Sequence, residues 1–105
     1  IINPRSKIGK NCRIHAGVNI GGAAGFINKF DSDKLYAPVL GDNCYIGPGV
    51  KLFGGITIGA NCVVGANSVV NKSFDKDGVT IAGVPAKIVS EKSSKGLLIL
   101  GAEID

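Results

Sequence analysis

Met and Trp are absent from this chain, His occurs once, and aromatic residues make up 6% of its 105 residues. With one histidine and three widely spaced cysteines, none of the usual close Cys or His ligand spacings is present, so no metal site is expected. Long apolar runs are missing, as is a charged-then-apolar N-terminal segment, and neither a membrane span nor a secretory signal is expected. The formal charge is only +4, and the basic residues are scattered singly from Arg5 to Lys95. That distribution offers no basic stripe and no aromatic platform for nucleic acid, though it leaves room for a small anionic ligand. The expectation is one soluble, cytoplasmic domain.

What the chain has in quantity is Gly, at 16 residues, together with Val, Ile and Ala, a mixture that favours strands and tight turns. These residues fall into register. Ile2, Ile8, Ile14 and Ile20 stand six apart, and Leu40, Ile46, Leu52, Ile58, Val64 and Val70 resume the same step after an interruption. If each aliphatic residue opens a hexad, the second slot is mostly Gly, where the backbone passes a corner closely. The fourth slot is Asn or Gly, residues that accept a left-handed turn cheaply. The fifth slot holds Cys12, Val18, Ala24, Cys44, Val50, Ile56, Cys62, Ser68 and Phe74, nearly all small or apolar, and it too should point inward. A short strand and a corner per hexad, three hexads per coil, make an all-β parallel β-helix.

Residues 20 to 40 break the six-residue step, and the polar stretch 26–39 reads as a loop extruded between two coils, where solenoids often build a binding surface. The three cysteines share the inward fifth slot and are read as buried, reduced thiols. The domain therefore spans residues 1–90, with the inserted loop 26–39, and residues 91–105 form a tail: a polar linker, then the apolar run Leu97 to Leu100, expected to cover the last coil or a neighbouring subunit.

The hexads, together with "TIAGVPAKIV" at 80–89, resemble the hexapeptide-repeat acyltransferases, in particular the serine acetyltransferases and their polysaccharide O-acetyltransferase relatives. The resemblance implies a left-handed coil, a homotrimer with cofactor clefts between adjacent prisms, and acetyl-CoA as cosubstrate for acetylating a serine or sugar hydroxyl. It places Gly22, Pro48, Ala66, Gly83 and Lys87 along the cofactor. The related carbonic anhydrases require three metal-binding histidines and are excluded by the single one here.

The family's catalytic histidines are not carried over. One belongs to an Asp-His-Ala-Thr-Gly segment that would precede Ile1, and the other falls on Ala37. Because the chain opens with Ile2 already in phase, the expectation is the C-terminal portion of a longer protein. His15 occupies a second slot, where its side chain should leave an outer corner; it is either a solvated or interface histidine or a general base. An alternative reading for the whole chain is a structural or regulatory stack that has lost catalysis, as Ala37 suggests.

Overall fold

The computed structural model describes residue 2, residues 5–21 and residues 37–95. Within them the hexads form eleven short strands and no helix. β1 (Lys7–Ile8), β4 (Val39–Leu40) and β7 (Thr57–Ile58) make the first sheet. β2 (Arg13–Ile14), β5 (Tyr45–Ile46), β8 (Val63–Val64), β10 (Thr80–Gly83) and β11 (Ala86–Ser90) make the second. β3 (Asn19–Gly21), β6 (Lys51–Phe53) and β9 (Val69–Val70) make the third. Every pairing is parallel except β10 with β11. Three parallel sheets visited in rotation are the three faces of a left-handed β-helix.

The register follows the hexad phase. Ile14, Ile46, Val64 and Ile81 stack in the second sheet, Ile20, Leu52 and Val70 in the third, and Ile8, Leu40 and Ile58 in the first. Ile20, Ile46, Leu52, Ile58, Val64, Val70 and Ile81 are all at most 1% exposed. Each such burial contributes about 1.5–3 kcal/mol. In the fifth slot Val18, Cys44, Val50, Ile56, Cys62 and Ser68 are buried as well, while Cys12 is half-buried.

Six residues per face leave four for each corner, and the corner has to reverse direction sharply. Asn11, Asn43, Asn61 and Asn67 do so at φ between 57° and 58°. Alanine in that conformation costs about 1–2 kcal/mol, whereas Gly adopts it freely. Asn61→Ala should therefore lower the unfolding free energy by about 1 kcal/mol, and Asn61→Gly by less, in urea titrations read by circular dichroism. The second-slot glycines answer to crowding: a Cβ on Gly41 would lie 2.6 Å from the Ala60 nitrogen of the next coil.

Between the first and second coils the register advances by 32 residues, from Ile8 to Leu40, and between the second and third by 18, from Leu40 to Ile58. The excess is the insertion; residues 22–36 lie outside the described set. The chain is back in the wall by Ala37 and Pro38, both buried, and Val39, read from sequence as the end of the loop, is in β4.

The last coil corrects the hexad reading. Phe74 was expected in the fifth slot, yet it bridges Ile58 and so takes the place of the aliphatic residue itself. Continued strictly, the six-residue step would put charged Lys76 in the core. The coil shortens instead, bringing Phe74 and then Ile81 into the apolar columns, with Val79 beyond Cys62.

Within residues 91–95, Glu91, Lys92 and Lys95 are exposed and Ser94 is docked on the stack. Ser94 is 1% exposed; its Oγ donates to the Asn43 carbonyl at 2.6 Å and its N–H to the Asn61 carbonyl at 3.0 Å. Thr80 Oγ1 donates to the Lys92 carbonyl at 2.8 Å. The tail thus runs back along the corner between the first two sheets, from the last coil toward the second. Leu97 to Leu100 lie outside the described residues.

Candidate functional site

The strand register decides which corner residues meet. Two positions beyond the paired Ile14, Ile46, Val64 and Ile81 stand Ala16, Pro48, Ala66 and Gly83, and all four are exposed. They make a strip of small residues along the corner between the second and third sheets. Gly49 N–H donates to the Ala16 carbonyl at 3.0 Å and Asn67 N–H to the Pro48 carbonyl at 2.9 Å, tying successive coils together beneath the strip. At its far end Gly83, at φ 110°, donates its N–H to Ser68 Oγ at 3.1 Å. Lys87 is exposed on β11, paired with Ala82, and so brings a positive charge beside that end.

Pro48, Ala66, Gly83 and Lys87 are therefore brought together, and Ala16 joins them. Sequence reasoning passed over Ala16, although it occupies the same third slot as Pro48 and Ala66. Gly22 lies outside the described residues. Its neighbour Gly21 belongs to β3 in the third sheet.

His15 borders the strip at the first coil, directly before Ala16. Its backbone N–H donates to the Ile46 carbonyl at 3.1 Å. The side chain, expected to leave an outer corner as a solvated or interface group or a general base, is half-buried, with its ring tilted at 54° against Tyr45 and the centroids 4.9 Å apart. Its Nε2 is buried and has no hydrogen-bond partner among the described residues. Leaving a buried polar nitrogen unpaired costs about 1–3 kcal/mol, so this imidazole is held with an uncommitted lone pair or proton. The signal for Tyr45 was present in the phase: it pairs with Arg13, on the same outer face as His15. Ala37 is fully buried.

On the outer side of the third sheet, a shallow apolar pocket of about 300 Å³ is lined by Asn19, Ile20, Gly21, Lys51 and Phe53. Phe53 is 40% exposed there. Among the described residues no three His, Cys, Asp or Glu side chains converge as a metal site would need, and no helix is long and apolar enough to cross a membrane.

The bacterial transferase hexapeptide family (six repeats) matches residues 37–72. A serine acetyltransferase of Staphylococcus xylosus is 38% identical over 91 residues, 87% of this chain and 39% of that protein. The crystal structure of serine acetyltransferase from Brucella abortus strain S19 superposes with a TM-score of 0.75 at 31% identity, over 89% of this chain and 35% of the other. Over most of its length the chain is similar to the serine acetyltransferases. The same Brucella abortus enzyme in complex with coenzyme A matches with a TM-score of 0.68 at 28% identity, over 88% of this chain and 42% of the other. The chain thus spans well under half the length of these serine acetyltransferases.

Proposed function

We propose that this protein is an acetyl-CoA-dependent O-acetyltransferase acting on a serine or sugar hydroxyl. The observation that carries the reading is the strip Ala16, Pro48, Ala66 and Gly83, bounded by Lys87 at one end and His15 at the other. Small residues let a thin pantetheine arm lie against backbone N–H and C=O groups. Three coil steps of about 4.8 Å give the strip a length of about 14 Å, over which the arm would run from the nucleotide end to the acyl end. Lys87 supplies charge for a phosphate. At the other end His15 takes the proton of the acceptor hydroxyl, the oxygen attacks the thioester carbonyl, and coenzyme A leaves as the thiol. A coenzyme A complex of the similar Brucella abortus enzyme supports the choice of cofactor.

The reading also includes a homotrimer. What supports it is Phe53, 40% exposed on the outer side of the third sheet, an apolar side chain that needs cover. The place of work is the cytoplasm, with no nucleic acid or membrane as partner.

One observation favours the second reading, a stack without catalysis. Ala37, at the position where the resembling family has a histidine, is fully buried and offers no functional group.

Calorimetry with acetyl-CoA on the full-length protein tests the cofactor half. Lys87→Ala should weaken binding by up to about 1 kcal/mol, roughly five-fold, and added salt should weaken the parent protein more than the variant. An absence of binding at millimolar acetyl-CoA would move the assignment to the second reading.

A further inference from the structure

The outer face of the second sheet carries a column of side chains one strand apart: Arg13, Tyr45, Val63 and Thr80 pair in turn. Tyr45 is held firmly within it. β5 lies between β2 and β8, with the Arg13 N–H donating to the Cys44 carbonyl and the Tyr45 N–H to the Cys62 carbonyl, both at 2.9 Å. Val63, the next member of the column, is only 9% exposed although it faces outward, so the tyrosine has a packed neighbour at its back. His15 stands one step past the column. It follows Ile14 where the paired coil has Gly47 after Ile46, and a glycine offers no side chain to hold an imidazole from below. The ring leans back onto Tyr45 instead.

We propose that Tyr45 is a positioning residue for acetyl transfer, its ring fixing the imidazole of His15 in the orientation from which it takes the acceptor proton. This rests on His15 being the general base. The two centroids, 4.9 Å apart with the planes at 54°, fall within the range of about 4.5–7 Å over which tilted ring pairs attract. The His15 main chain is tied by its N–H to the Ile46 carbonyl at 3.1 Å, which leaves only the two side-chain torsions to be set. No hydrogen bond among the described residues reaches Nε2, so that nitrogen does not anchor the ring. The packed face of Tyr45 does.

The consequence is kinetic. A general base works only within hydrogen-bond reach of the proton it removes, and a displacement of about 1 Å can cost on the order of 100-fold in rate. An imidazole free to turn about both torsions loses that reach for most of the time. The strip that would carry acetyl-CoA is made by other residues, so the effect falls on kcat and not on cofactor affinity. The phenol oxygen has no part in it.

The test compares Tyr45→Ala, Tyr45→Phe and His15→Ala in full-length protein, assayed for acetyl transfer to serine and to a sugar. Tyr45→Ala should lower kcat by roughly 10- to 100-fold with the acetyl-CoA KM unchanged, and Tyr45→Phe, which keeps the ring, should match the parent. Should the alanine variant not fold, Tyr45→Leu keeps bulk on the sheet without a ring and takes its place, with the same result expected. The imidazole also reports without turnover. The NMR signals lost in His15→Gln belong to His15, and they should shift in Tyr45→Ala, where the ring current is gone, and stay in place in Tyr45→Phe. A slow His15→Ala beside a Tyr45→Ala at parental kcat overturns the proposal, as does a phenylalanine variant as slow as the alanine, or His15 signals that do not respond to loss of the ring. Full turnover in His15→Ala is a different failure: it removes the general base itself, and the positioning role with it.

Discussion

Ile58→Asp leaves no folded protein. Ile58 is 0% exposed in β7, between Leu40 of the coil before it and Phe74 of the coil after it. A carboxylate there has apolar side chains above and below, with neither a cation nor a donor in the column. After relaxation and water entry such an ion still costs several kcal/mol, and losing the isoleucine leaves a further packing deficit of about 2–5 kcal/mol. Domains of this size have about 5–15 kcal/mol in total. Circular dichroism should show a chain without the β signal at any temperature. Lys51→Ala is the control, because Lys51 lies outward and exposed on β6 and its Nζ reaches only the Gly49 carbonyl at 3.2 Å. That variant should melt within a degree or two of the parent. Equal damage from the two would mean that the inward face of the hexad has been misassigned.

His15→Ala carries the largest expected effect on activity. If His15 takes the acceptor proton, removal lowers kcat for acetyl transfer by roughly 100- to 10,000-fold, the usual worth of a general base. The acetyl-CoA affinity should change little, since the strip and Lys87 remain. His15→Gln fills similar space, keeps polar contact and restores no proton-accepting ring, so it should be as slow as the alanine variant. The assay uses full-length protein with serine and with a sugar acceptor in parallel. Full turnover in both variants would place the base elsewhere and return His15 to a packing role against Tyr45.

The hexad phase was legible because each slot answers to one physical demand. Isoleucine or leucine in the column, a minimal residue where the next coil crowds in, and asparagine at a left-handed φ leave marks that survive in the sequence. The strip was legible for the same reason: Pro48 and Ala66 share a slot, and the slot fixes the corner. Phe74 was misread because the coil shortens to keep Lys76 out of the core, and periodicity counts residues without weighing such a compromise. The burial of His15 was hidden since it depends on the Tyr45 ring one coil away. Ser94 gave no sign at all. It docks on main-chain carbonyls, which every sequence possesses.

That docking changes how the coils can come apart. A solenoid is ordinarily a one-dimensional array in which each unit touches only its neighbours, so the terminal unit frays first and at little cost to the rest. Here a residue beyond the last coil is fastened fifty-one positions back, on the second, and also on the third. The final turn cannot peel away until both fastenings open, and loosening the second coil releases the tail at once. Amide exchange at Ser94 would then report the opening of the middle of the stack rather than of its end. Ends and middle are made one cooperative unit by a serine that no periodic rule would have chosen.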